Sequence, residues 1–143
     1  MPRRKRSPKD PFRSLFEESI GEYLDERGVP YEYEAYQFEY EEPLRKNKAR
    51  CATCGGNQLV RTGWYTPDFS LKNGVTIETK GRFTAADRRK MKNVIEQHPD
   101  ERIVMLFMRD NRIHKRSNTF YSDWCMENNI EFAIGEPKEE WLK

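Results

Sequence analysis

Asp68, Glu78 and Lys80 are the residues whose types and spacing could do chemistry. They stand in Tyr65-Thr66-Pro67-Asp68-Phe69 and Ile77-Glu78-Thr79-Lys80-Gly81, with the turn signal Asn73-Gly74 between the two stretches. Two carboxylates and an ammonium gathered on one patch could hold a hard divalent cation and hydrolyse a phosphodiester. A strand turns successive side chains to opposite faces, so Glu78 and Lys80 must share one. Hairpin register decides whether Asp68 joins them. A two-residue turn at Asn73-Gly74 pairs Asp68 with Thr79 and sends it to the other face. A three-residue loop, Lys72-Asn73-Gly74, with Gly74 left-handed in a G1 bulge, pairs Leu71 with Val75 and Asp68 with Glu78. We expect the three-residue loop. Pro67, which cannot donate a ladder hydrogen bond, suits the start or edge of a strand. The same residues would also suit a cross-strand ion pair on a solvated hairpin, so D…ExK alone leaves both readings open.

The elements that must position these residues belong to a chain of 143 residues, one domain's worth, with 35% charged and 13% aromatic residues. A mean hydropathy of -1.03 is close to that of a disordered chain, but the aromatic residues supply large apolar surface in few positions. A folded domain with a heavily charged exterior is expected. The net charge of +2 conceals segregation. Residues 1–9 carry Arg3, Arg4, Lys5, Arg6 and Lys9 with no acid, and read as a flexible basic arm. Glu17 to Glu42 is strongly acidic, and Pro43 to Tyr65 carries Arg45, Lys46, Lys48, Arg50 and Arg61 with no acid. Further basic clusters run from Lys80 to Lys92, including Arg82, Arg88 and Arg89, and from Arg109 to Arg116. Such blocks suit a protein that grips a polyanion while keeping carboxylates for metal ions, and equally a merely solvated surface. No apolar run approaches a membrane span and no signal-peptide core follows the basic start, so a soluble, intracellular protein is expected.

Residues 10–143 read as one domain. Asp10-Pro11 suits a helix start, and Phe12, Leu15, Phe16, Ser19, Ile20, Tyr23 and Leu24 form one helical stripe ending near Arg27-Gly28. Glu17 lies at its margin and Glu18 further toward solvent. Tyr31 to Glu42 alternates aromatic and acidic residues, with a phase change at Ala35-Tyr36 that suggests a bulge. Glu32 would then share the sheet with Asp68 and Glu78. Thr84-Ala85-Ala86-Asp87 reads as a capping-box start of a helix that stops at Pro99. Its flank, Arg88, Arg89, Lys90 and Lys92, could face phosphates. Arg102 to Met108 reads as a buried central strand, Arg112 to Lys115 as a short strand, Phe120 to Asn128 as a helix and Ile130 to Ile134 as a last strand. The order indicates an α/β domain with a mixed sheet flanked by helices, its site on the strand ends.

Pro43 to Gly63 reads as an inserted connector. At its centre, Cys51-Ala52-Thr53-Cys54-Gly55-Gly56 resembles one knuckle of a zinc ribbon. One knuckle offers two ligands where a closed structural site needs four, so the same loop of a second chain is the neatest source of the other two. A redox disulfide and a metal-free loop are the alternatives. Cys125 reads as a small buried hydrophobe, and His98 and His114 as surface or helix-end residues.

Several blocks occur together in one order: Phe12-Arg13-Ser14 with Glu17, Gly28-Val29-Pro30-Tyr31-Glu32-Tyr33-Glu34, Tyr65-Thr66-Pro67-Asp68-Phe69, Asn73-Gly74, Glu78-Thr79-Lys80-Gly81 and Glu96-Gln97-His98-Pro99. From about Phe12 to Trp141 the chain resembles phage endonuclease I, the Holliday-junction resolvases of short-tailed phages within the PD-(D/E)xK nuclease superfamily. The resemblance implies a restriction-endonuclease-like mixed sheet and an intertwined, domain-swapped homodimer in which the first helix and strand of one chain complete the other's site. It implies a catalytic set of Glu17, Glu32, Asp68, Glu78 and Lys80, with Mg²⁺ or Mn²⁺ on Glu17, Asp68 and Glu78. No small organic cofactor is implied. The substrate would be branched DNA, held by shape through Arg3, Arg4, Lys5, Arg6, Lys46, Lys48, Arg50, Arg82, Arg88 and Arg89, in the cytoplasm of an infected bacterium. One departure is plain: the connector between Tyr40 and Trp64 is longer than the family's and carries Cys51 and Cys54, which puts the dimer geometry in question. A non-catalytic nucleic-acid adaptor and a sequence-specific restriction-type nuclease remain the rival readings.

Overall fold

A computed structural model describes residues 12–43 and 60–143. The elements run α1 (Leu15–Glu26), β1 (Tyr31–Tyr33), β2 (Phe38–Pro43), β3 (Val60–Tyr65), β4 (Phe69–Leu71), β5 (Val75–Lys80), α2 (Ala85–Gln97), β6 (Arg102–Phe107), α3 (Tyr121–Glu127), β7 (Phe132–Ile134) and a 3₁₀ turn at Glu139–Trp141. Five strands form a mixed sheet in the order β1-β4-β5-β6-β7. β1, β4 and β5 pair antiparallel; β5, β6 and β7 pair parallel through the helical crossovers α2 and α3. β2 and β3 form a separate two-stranded ribbon.

The hairpin register matches the three-residue loop. Phe69 faces Ile77 and Ser70 faces Thr76, a register that carries on to Asp68 and Glu78. Gly74, at φ +95°, donates its N–H to Leu71 O at 3.1 Å. An L side chain would be strained there. Asn73 secures the loop from both sides: its Oδ1 accepts from Val75 N, and its Nδ2 donates to Trp141 O at 2.7 Å.

Each face of the sheet has its own core. On one, Ile20 and Leu24 of α1 and Trp141 pack on Phe69, Leu71, Val75, Ile77, Val104 and Leu106. On the other, Met91 and Val94 of α2 and Tyr121 and Cys125 of α3 pack on Ile103, Met105, Phe107 and Tyr65. β6 is therefore apolar on both sides, as its unbroken run requires. Cys125 is completely buried and its thiol is pushed up to about 12, chiefly by burial.

Five expectations need correction. α1 begins at Leu15 with Ser14 as N-cap, its side chain accepting from Glu17 N, and not at Asp10-Pro11; a β-hydroxyl aimed at the first turn supplies the missing acceptor. Leu15, expected on the apolar stripe, is 84% exposed at the first helical position, while Phe12 reaches the core from outside the helix. The phase change at Ala35-Tyr36 is no bulge: Glu34 takes φ +49°, the chain leaves the main sheet, and β2 pairs with β3 instead. Residues 60–63, expected to be turn-rich connector, belong to β3. Arg112 to Lys115 forms only an isolated bridge between Arg112 and Phe120. The helices after β5 and β6 lie where the sequence put them, and the expected capping box of Thr84 and Asp87 is complete.

The ribbon docks on the end of α2. Gln97 Oε1 accepts from Glu41 N and its Nε2 donates to Glu41 O, both at 2.7 Å, and His98 Nε2 lies 2.7 Å from Glu39 O. His98 is thus a helix-end residue with a joining role. Gly21 has a packing reason, since a Cβ there would lie 2.4 Å from the Phe12 ring.

Candidate active site

Asp68 leads into β4 and Glu78 lies within β5, both buried at 8% and 5% exposure. Asp68 Oδ2 accepts from Thr79 N at 2.8 Å and Thr79 Oγ1 at 2.6 Å, which holds its carboxylate against the neighbouring strand. Burial raises the pKa of Asp68 despite these bonds. Glu78 is raised further, first by burial and then by the negative charge of Asp68, with Lys80 and Lys90 opposing the rise. Thr79's two donors oppose the rise at Asp68, so Glu78 is the member of the pair that holds a proton more tightly.

A second group of acids adjoins the pair. Carboxylate oxygens of Glu17, Glu34 and Asp68 all lie within 4.8 Å of one another. Glu17 is presented by the first turn of α1 at the margin of its apolar face, as expected. Tyr33 Oη donates to Glu17 Oε2 and accepts from Arg13 N at 3.2 Å; burial, then the Glu17 bond, raises the phenol's pKa. Arg13 also gives its N–H to Glu17 Oε2 at 3.1 Å and its Nε to Glu34 Oε1 at 2.8 Å. A guanidinium thereby balances part of the acidic charge.

Glu34 enters the cluster because of its backbone. The left-handed turn at φ +49° closes with Glu34 N donating to Asp68 O at 3.0 Å. Glu32, by contrast, is exposed on the outermost strand opposite Ser70, with its carboxylate on Tyr36. The structure therefore brings together Glu17, Asp68 and Glu78 of the expected set and adds Glu34, while Glu32 lies outside the three-carboxylate group. Lys80 ends β5 within charge reach of Glu78, its Nζ 3.5 Å from Asp87 Oδ1.

Sequence reasoning, which gave Lys90 only as one of four phosphate-facing cations, did not place Tyr65 or Lys90 beside Glu78. Tyr65 is 1% exposed; its Oη lies beside Glu78 without a well-formed hydrogen bond to any group. Lys90 Nζ sits 5.6 Å from the centre of the Tyr65 ring. No local pattern distinguishes Lys90 from its basic neighbours; the turn of α2 that packs Met91 and Val94 inward also brings it over the site. Of the expected DNA-binding residues, Arg82 and Arg89 are exposed, whereas Arg88 is half-buried with Nη1 donating to Phe83 O at 2.7 Å. Arg3, Arg4, Lys5, Arg6, Lys46, Lys48, Arg50, Cys51 and Cys54 lie outside the described residues.

The donors fit a hard cation. All are carboxylate oxygens, and two buried, mutually repelling acids with raised pKa values are what a divalent ion would relieve. Glu17, Glu34 and Asp68 would hold it, with Glu78 beside Asp68. Among the described residues no helix is long and apolar enough to cross a membrane.

The family model for phage endonuclease I matches residues 2–143. Endonuclease I of Escherichia phage T7 is 32% identical over 133 residues, covering 92% of this chain and 78% of the relative. Endodeoxyribonuclease 1 of Enterobacteria phage T3 is 33% identical over 138 residues, covering 90% and 80%. A match over nearly the whole chain, joined to a mixed sheet that carries Asp68, Glu78 and Lys80 at its heart, places the protein in the phage endonuclease I family.

Proposed function

We propose that the protein is an endodeoxyribonuclease that hydrolyses phosphodiester bonds of branched DNA, four-way junctions above all, with Mg²⁺ or Mn²⁺. The observation that supports this best is the buried pair Asp68 and Glu78 with Glu17 and Glu34 beside it. Such a concentration of carboxylates costs folding free energy that Arg13 and the lysines offset in part and a bound cation would offset further. When bound, the ion would supply Lewis-acid polarisation of the phosphate and a more acidic water. Water adds to phosphorus, the bond to the leaving oxygen breaks, and the strand ends as a phosphate and a hydroxyl. Lys80 brings positive charge to the phosphate oxygens as that bond breaks, and Asp87 holds its ammonium for the purpose. Thr79 holds the carboxylate of Asp68 and favours its ionised form against burial, and Tyr33 and Arg13 fix the carboxylate of Glu17.

A homodimer would place two such sites on opposed strands and nick both in one encounter, which resolution of a four-way junction needs. Along the chain, α1 and β1 lead to β4 and β5 by way of β2 and β3, so exchange of this unit between two chains, with the same β1–β4 pairing made across the dimer, would rebuild the same constellation. The deciding experiment incubates the protein with Mg²⁺ and either linear duplex or a four-way junction. Paired nicks near the branch are expected. Cutting of linear duplex at one sequence would mark a restriction-type enzyme, and no cleavage a binding adaptor. Lys80→Ala should lower junction cleavage roughly 10²-fold; full activity in that variant would overturn its role.

Cys51 and Cys54, with their counterparts in a second copy, form the proposed zinc site. Metal analysis of purified dimer should find about one zinc per two chains. A metal-free dimer would remove the idea.

A further inference from the structure

Beyond the carboxylates, the ends of β5 and β6 open into a cleft of about 530 Å³ whose lining includes Arg82, Phe83, Arg88, Arg112, His114 and Lys115. Three guanidinium groups, an ammonium and an imidazole line it, and no acid does. Among the described residues none of these cations has an ion-pair partner, although acids make up much of the chain. The acids on the flanking segments are engaged elsewhere: Asp87 with Lys80 and Thr84 N, Asp110 with Ser122, and Asp123 with Phe120 N.

The cleft is built by specific contacts. Arg88 Nη1 donates to Phe83 O at 2.7 Å and Ile113 O at 3.5 Å, tying the loop after β5 to the loop after β6. Phe83 N donates to Tyr121 Oη at 3.2 Å, which adds α3 to the frame. His114 Nδ1 accepts from Arg116 N at 3.2 Å, so a neutral ring carries its proton on Nε2 and offers a donor. Arg82, Arg112 and Lys115 are exposed and carry the reachable charge. Crevices outside the carboxyl ends of parallel strands are where such sheets take ligands.

Location assigns the ligand. Arg82 follows Lys80 by two residues, at most roughly 7 Å of chain, so the cleft begins where the cleavage site ends. We infer that the cleft between the β5–α2 and β6–α3 loops binds backbone phosphates of the DNA strand beside the scissile one, through Arg82, Arg112, His114 and Lys115. The inference rests on the nuclease reading and deepens it. Arg88 is a positioning residue that holds the two loops together. Because the contacts are to phosphate, they set strand position and carry no base preference.

The test uses the full chain carrying Lys80→Ala, to suppress cutting, and a fluorescent four-way junction titrated by anisotropy over a range of salt. Adding Arg112→Ala and Lys115→Ala should weaken binding about tenfold near physiological salt and reduce the slope of log affinity against log salt by about 2. A charge-matched control, Lys72→Ala with Lys143→Ala at the opposite end of β5, should leave both unchanged. Circular dichroism melting verifies that the variants fold. Equal affinity and slope with and without Arg112 and Lys115, or an equal loss in the control, would overturn the cleft while leaving the nuclease reading standing. Absence of binding by the Lys80→Ala parent would overturn both.

Discussion

Glu78→Gln should make the metal-free protein more stable while removing its activity. Glu78 is buried against Asp68, and burial plus like charge raise its pKa well above the usual carboxylate value. A carboxyl whose folded-state pKa is raised binds its proton more tightly in the native protein than in the unfolded chain. Its contribution to stability is then complete below the unfolded value and is lost as pH rises through the raised, folded value. In chelator, the melting temperature of the parent should therefore fall as pH rises from about 5 through the window above the ordinary carboxylate range. Glu131 and Asp87, with lowered values, act in the opposite sense only at lower pH. Glutamine cannot ionise, so Glu78→Gln should flatten that slope and add about 1–2 kcal/mol near neutral pH, a rise of roughly 3–6 °C. Cleavage should fall about 10³-fold. Scanning calorimetry with and without Mg²⁺ reads the first effect, and a junction assay reads the second. A variant that melts below the parent in chelator would contradict this account of the pair.

Trp141→Ala should do the reverse, costing stability and sparing chemistry. Trp141 is fully buried against the face of the sheet that carries Val75, Ile77 and Val104. Its Nε1 donates to Glu131 Oε2 at 2.7 Å, and Glu131 is paired in turn with Arg102 through two bonds. Removing the indole leaves a cavity and strips one donor from that carboxylate, at a cost of about 3–5 kcal/mol. For a chain this long that is a fall of roughly 10–15 °C in melting temperature. The backbone carbonyl that Asn73 grips is still present, so the loop that sets the register of Asp68 against Glu78 keeps its anchor. At low temperature the cleavage rate per folded molecule should match the parent. A rate loss at low temperature exceeding the unfolded fraction would show that the indole itself supports the site.

How much of this was legible beforehand depended on the range of the interactions involved. The position of Asp68 opposite Glu78 followed from a three-residue loop and strand alternation, both local, and the Thr84 capping box and the apolar run of β6 were equally self-contained. Glu34 was invisible because extended alternation puts it on the same face as Glu32 and cannot tell the two apart, while its place depends on a left-handed backbone turn at a residue that is not glycine. Tyr65 and Lys90 reach Glu78 from different elements, which only tertiary packing brings together. The break after Tyr33 was seen as a change of phase, but a bulge and a departure to another sheet leave the same trace in sequence. Ser14 displaced Asp10-Pro11 as the helix start although both have good capping chemistry; Glu17, whose N–H meets Ser14 and whose carboxylate meets Arg13 N, tips the balance.

The grip of Gln97 on the ribbon has a consequence for how such proteins can diverge. Both of its bonds go to the backbone of Glu41, and His98 meets the carbonyl of Glu39, so these polar contacts read main chain, with one ring contact from Phe38 to His98 beside them. The acidic side chains of β2 can drift while Phe38 and Tyr40 stay packed on the core, and whatever lies past the ribbon can lengthen, shorten or acquire new ligands, while the nuclease core feels the same two-pronged handhold.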